Sequence, residues 1–275
     1  MSYKKVLLLS TTALAVVSLS GQAQAPPPAS GKKHLLVVGQ SAGHTHDSIS
    51  HGMVTLAKIG AEAGLFDVTL RTDVALITKK PQTRNAKNLN YFDAVFFYTT
   101  GELPLDESQK ADLISFLRDD GKGFLGAHSA TDTFYQWPEY GELIGGYFDL
   151  HPWHQEVRIN VEDNRFPATR HFPSAFSITD EIYQFKNFSR DRVRVLMSLD
   201  NASIDLTKPQ VKRQDKDFAV TWARHYGKGR MFYSSLGHRE SVWDTPQIQK
   251  MWLEAIRWAM GLTPGDATPR PRPAG

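Results

Sequence analysis

Short apolar runs that stop abruptly at a glycine or polar residue alternate along this chain with longer segments of helical spacing, and that alternation limits the folds open to it. His34-Leu-Leu-Val-Val-Gly39 reads as a strand buried on both faces. Ser48 to Ala63 carries Ile49, Met53, Leu56, Ile59 and Ala63 at helical spacing, with Asp47 or Ser48 placed to cap it. Phe66 to Arg71 and Asp93 to Tyr98 read as further strands, and Asp106 to Asp119 as an amphipathic helix ended by Gly121. Lys122-Gly-Phe-Leu-Gly-Ala-His128 is a fourth strand running straight into a turn. Phe218 to Tyr226 and Arg230 to Leu236 flank Gly227-Lys-Gly229 as a hairpin, which explains that glycine pair better than a phosphate loop does, because no helix follows. Pro246 to Met260 reads as a closing helix. The alternation implies an α/β domain with a mostly parallel sheet covered by helices. Residues 153–207 are richer in short strands and are expected to form an inserted β-rich cap.

The ends of the chain have a different character. Residues 1–25 have the layout of a signal peptide: Lys4 and Lys5, an apolar stretch from Val6 to Leu19, then Ala23-Gln-Ala25 before a cut. That stretch is too short for a comfortable bilayer span, which needs about 20 apolar residues. The mature protein is therefore expected to be secreted or periplasmic, with no membrane association after cleavage. Loss of Lys4 and Lys5 lowers the formal charge from +3 to +1, so the basic balance gives no reason to expect a nucleic-acid partner. Residues 26–33 read as a linker, 34–262 as the folded domain and 263–275 as a proline-rich flexible tail. The chain contains 0 Cys, which excludes disulfides, thiolate metal ligands and thiol nucleophiles.

Open parallel sheets bind ligands at the carboxyl ends of their strands. The polar residues just after the predicted strands are therefore the informative ones. They are His44, His46 and Asp47; Thr99, Thr100 and Glu102; His128, Ser129, Thr131 and Asp132; and His238, Arg239 and Glu240. Each taken alone is equally readable as a cap or a surface residue. Their convergence on one rim is what points to a site.

Gly123-Phe-Leu-Gly-Ala-His-Ser-Ala-Thr-Asp-Thr133, Gly145-Gly-Tyr-Phe-Asp-Leu-His-Pro152, Tyr226-Gly-Lys-Gly-Arg230 and Ser235-Leu-Gly-His238 resemble, in order, the signature blocks of the trehalose-utilisation, ThuA-like family. The likeness runs from about His34 to Met260. It implies a flavodoxin-like, doubly wound fold similar to that of the class I glutamine amidotransferases, and a role with trehalose or other glucosides, through 3-keto sugars. Amidotransferases place a nucleophilic cysteine at a tight strand-to-helix turn and a His-x-Glu pair after a later strand. Here His128 stands at the turn and His238-Arg239-Glu240 resembles the pair, so a thioester mechanism has no sulfur to use. Glu181, within Thr179-Asp-Glu-Ile-Tyr183, lies in another matching block, although an ordinary turn explains it equally well.

Two chemistries suit such a site. In one, His128 and His238 serve as general base and acid, with Glu240 orienting His238 and Asp132 nearby. In the other, His46, His128 and His238 hold a divalent metal such as zinc, with His151 or His154 entering from the cap. A small sugar or keto-sugar partner is expected to meet His46, Ser129, Trp137, His151, Trp153 and Arg239, since aromatic faces stack on pyranose rings. Tyr135, Tyr140 and Trp243 are further candidates, and core packing accounts equally for the Trp and Tyr residues. Ser129 lacks the Gly-x-Ser-x-Gly context of a hydrolase and reads better as a capping residue. The alternative to an enzyme is a non-catalytic carbohydrate-binding protein on an amidotransferase-like scaffold.

Overall fold

The protein is described by a computed structural model over residues 31–272. The expected signal segment and most of the linker lie outside the described residues. The chain enters through β1 (Lys33–Val38), which takes in the last linker position, and continues through α1 (Ser48–Ala63), β2 (Phe66–Arg71), β3 (Ala94–Phe97), α2 (Glu107–Arg118) and β4 (Gly123–Ala127). After α3 (Pro138–Ile144) come β5 (Tyr147–Val161), β6 (Ala175–Lys186), β7 (Arg194–Leu199), β8 (Ala219–Tyr226) and β9 (Gly229–Ser234). The last helices are α4 (Glu240–Trp243) and α5 (Pro246–Ala259).

All nine strands form one sheet in the order β2-β1-β3-β4-β9-β8-β7-β5-β6. β2, β1, β3, β4 and β9 run parallel. Every pairing from β9 outward to β6 is antiparallel. The expected mostly parallel sheet is thus a mixed one. The cause is the connections: a parallel crossover needs about a dozen residues or more, usually a helix, and no α-helix separates β5 from β9. The expected cap is also corrected. β5 joins the sheet, but pairs with β7 only over Ile159–Val161, while the long β5–β6 ribbon reaches on across the ends of β4 and β9.

Alternation within β1 shows why its apolar run is continuous. Leu35 and Val37 face a core shared with α1 and α5, and Leu36 and Val38 face a core shared with α2 and α3. Both faces are covered, as the doubly wound arrangement demands. α2 begins with a capping box in which the Asp106 carboxylate accepts from the Gln109 N–H and the Gln109 side chain accepts from the Asp106 N–H. Asp47, by contrast, caps α1 without a side-chain hydrogen bond.

The proline-rich segment after Leu262 forms no helix or strand as far as it is described, but it is not the loose tail its composition predicts. Ala267 is buried, Asp266 accepts from Arg194 at 2.8 Å, and the Gly265 carbonyl accepts from the Trp258 indole at 3.1 Å. Proline removes donors without preventing side chains and carbonyls from docking. Among the described residues no helix is long and apolar enough to cross a membrane.

Candidate functional site

β4 delivers its last residue, Ala127, to the sheet edge, and His128 follows with φ of 42°. That left-handed backbone costs a non-glycine residue on the order of 1–3 kcal/mol. Neighbours hold it there: the Tyr233 hydroxyl and Thr131 Oγ1 both donate to the His128 carbonyl, at 2.7 and 3.2 Å. The ring is fixed as well. Its Nδ1 lies 2.7 Å from the Ser235 carbonyl, which can only accept, so Nδ1 carries a proton. Nε2 then offers its lone pair in the neutral ring, and the Tyr183 hydroxyl donates to it at 2.7 Å. His128 is 0% exposed. The imidazole placed at the turn as a candidate general base is sealed beneath the site, without a free face for a substrate.

His238 follows β9 through Gly237, whose φ of 131° and close approach to the Trp243 indole leave no room for a side chain. Its Nδ1 lies 3.3 Å from His128 Nε2 and 3.3 Å from Glu181 Oε2, and the same carboxylate oxygen lies 3.4 Å from His128 Nε2. The hydrogen bond to Glu181 raises the proton affinity of His238 against the opposing effect of its burial. Burial of Glu181 opposes its ionisation, yet the close approach of the His128 and His238 imidazoles outweighs that and holds its carboxyl far below the usual range. His46, on the loop after β1, meets His128 and His238 edge to face at centroid distances of 4.8 and 5.2 Å. Burial and then the neighbouring imidazoles push its pKa down to about 3, so it stays neutral. Its Nδ1 is buried without a protein partner.

Glu240 does not orient His238. It sits at the exposed start of α4, and Glu181 from β6 takes the role assigned to it. The adjacent Asp180 fixes the loop bearing His238, accepting from the Gly237 and Arg239 N–H groups at 2.7 and 3.2 Å. Above the cluster opens a cavity of about 400 Å³ lined by His44, His46, Asp132, Phe148, His151, Glu181, Tyr183 and His238. Asp132 accepts from the Tyr135 hydroxyl at 2.5 Å, and burial raises the proton affinity of its carboxyl. His151 Nδ1 lies 3.3 Å from Glu181 Oε1, and its ring stacks on Phe148. Both residues flank the register shifts of β5 around Leu150, where an irregular ribbon can re-aim side chains. His154 approaches His238 from the outer side, with centroids 4.9 Å apart.

The structure therefore brings His46, His128, His238, Asp132 and His151 together. Six other expected contacts are not delivered. Ser129 is wholly buried, its hydroxyl unpartnered. Trp137 packs on Phe134 and Tyr140, and Trp153 on Phe218, both within the core. Tyr140 and Trp243 are buried too. Arg239 is exposed and enters the site region through its backbone N–H. Sequence reading did not single out Tyr183 or Phe148 and left Glu181 unassigned. The signal for Glu181 was present in its matching block, but nothing local distinguishes a buried functional carboxylate from a turn residue.

The sequence from 34 to 259 matches the family model ThuA, described as trehalose utilisation. A ThuA-like protein from Bacteroides uniformis is similar at 22% identity, covering 87% of this chain and 95% of that one, with a TM-score of 0.65. Another from Parabacteroides merdae is similar at 18% identity, covering 83% and 90%, with a TM-score of 0.66. At these identities the likeness is one of fold, consistent with a glutamine amidotransferase-like architecture. No curated protein matches the sequence. With the match spanning 34–259, the expected set of imidazoles at one sheet edge and ThuA-like folds on either side of the comparison, this chain belongs to the ThuA family.

Proposed function

We propose that the protein is an exported enzyme of carbohydrate metabolism that takes a glucoside in its 3-keto form and removes a carbon-bound proton beside the ketone. The family's link to trehalose utilisation supports the substrate class. One observation carries the reaction class: Glu181, a carboxyl held low by its imidazole neighbours and paired with His238, lines the same cavity as Asp132, a carboxyl whose proton affinity is raised. Two carboxyls of one pocket pushed in opposite directions, Glu181 down and Asp132 up, are what acid and base roles require.

The ketone at C3 acidifies the hydrogen on C2. Asp132 takes that proton, and His238, whose protonated form Glu181 favours, stabilises the oxygen that becomes an enolate. The electron pair then forms the C1–C2 double bond as the bond from C1 to the aglycone oxygen breaks. The departing oxygen takes up a proton from His151, which borders solvent. Return of the proton to C2 from the other face gives isomerisation instead. His128, sealed below, positions Glu181 and His238. A thioester route is closed by the absence of cysteine.

The test is proton NMR of 3-keto-trehalose in deuterated buffer with purified protein. Wild type is expected to exchange the C2 hydrogen and release the second sugar, and Asp132→Asn to do neither. No exchange and no product, with sugar affinity untouched by His238→Ala, would leave the non-catalytic carbohydrate-binding reading. Export rests on the pattern at residues 1–25 and is checked by the mature N-terminus, expected at Pro26.

A further inference from the structure

We propose that His46, His128, His238 and Glu181 form a binding site for one divalent transition-metal ion of the zinc class. One donor atom from each of the four lies within 4.8 Å of all the others. The donors come from four separate places in the fold: the loop after β1, the turn after β4, the strand β6 and the loop after β9. Such convergence is not produced by local chain geometry.

Two details favour an ion over a purely hydrogen-bonded cluster. His128 is fully buried, with its Nδ1–H tied to the Ser235 carbonyl and Nε2 directed at Glu181 and His238. A backbone acceptor on the far nitrogen is the arrangement that fixes the tautomer and orientation of metal-bound histidines. His46 Nδ1, in addition, is buried with no protein partner, a desolvation cost of about 1–3 kcal/mol for which the protein alone offers no compensation. Three imidazoles and one carboxylate suit zinc, cobalt, nickel, manganese or iron, whereas magnesium and calcium prefer all-oxygen sites. The competing arrangement is the Tyr183 hydroxyl, which uses the His128 Nε2 lone pair at 2.7 Å. An ion displaces that hydrogen bond, so Tyr183 is not needed for binding. The ion's service as the positive centre facing a ketone rests on the function proposed above. The site itself does not.

The test uses the full chain, stripped with a chelator and titrated with Zn²⁺ by calorimetry and with Co²⁺ by visible spectroscopy, without any sugar. Wild type is expected to bind one equivalent and to show cobalt d–d bands. Glu181→Gln and His46→Ala are each expected to weaken Zn²⁺ binding by about 100-fold or more, the upper end of what loss of an outer-shell partner costs. Their chelated forms should keep the wild-type circular dichroism, and Tyr183→Phe should bind as tightly as wild type or more so. Failure of wild type to bind either ion, or equal affinity in wild type and both ligand variants, overturns the site. That failure leaves the proton-transfer reading with His238 facing the enolate oxygen. Metal binding without turnover of any keto-glucoside keeps the site and removes the sugar reading.

Discussion

Glu181 meets His128, His151 and His238 at 3.3 to 3.4 Å, whereas Glu240, two positions after His238, faces solvent. Replacing Glu181 with Gln keeps the shape and removes the charge that supports His238, so turnover of a 3-keto-glucoside is expected to fall about 10- to 100-fold, as loss of a supporting partner does. Glu240→Gln should stay within about twofold, as exposed substitutions do. Steady-state kcat for the two variants side by side checks both outcomes. The contrast also marks how far the sequence could be read. Residues directly after a strand are legible because a sheet's carboxyl edge collects them, and His46, His128 and His238 were found that way. Glu181 lies inside β6, where alternation gives its side but not what the ribbon will be folded against. The burial of His128 is invisible for the same reason, since the side chain that covers it, Tyr183, comes from 55 positions further along the chain.

At the level of elements, Asp93 joins three strands. Its carboxylate accepts from the His34 N–H at 3.0 Å, Lys33 at 3.2 Å and Lys122 at 3.0 Å, at the starts of β1, β3 and β4. Burial opposes ionisation, but the Lys122 and His34 hydrogen bonds outweigh it and lower the carboxyl below its ordinary 3.8. A depressed carboxylate stabilises the fold above its unfolded value and loses that contribution as pH falls through the folded one. Asp93→Asn should therefore lower the urea midpoint at pH 7, with the gap to wild type closing as the pH drops below about 4. In α1, a Cβ at Gly52 would lie 2.7 Å from the Trp243 ring. Gly52→Ala is expected to cost about 1–3 kcal/mol by overpacking, read from the same denaturation curves. The helices and the parallel strands were legible because their periods differ cleanly. The antiparallel half was not: β5 and β6 face solvent along much of one side, and strand order depends on connections whose paths carry no periodic signal.

On the scale of the whole molecule, the chain after Leu262 docks on β7, β9 and α5. Besides Asp266 on Arg194, the Thr263 carbonyl accepts from Arg230 at 3.2 Å. Truncation after Leu262 exposes these donors and the Trp258 indole, and should destabilise the protein by about 1–3 kcal/mol in chemical denaturation. Proline content correctly excluded regular structure there but said nothing of docking, because docking depends on donors brought from residues seventy positions away. β6 occupies the outermost position of the sheet, and it is the strand that carries Glu181. Marginal strands peel at lower free energy than the global transition. On the function proposed above, turnover is expected to fail before the fold does: a trace of denaturant, or a foreign strand annealing along that margin, should end activity while the tryptophans of the interior still report an intact protein.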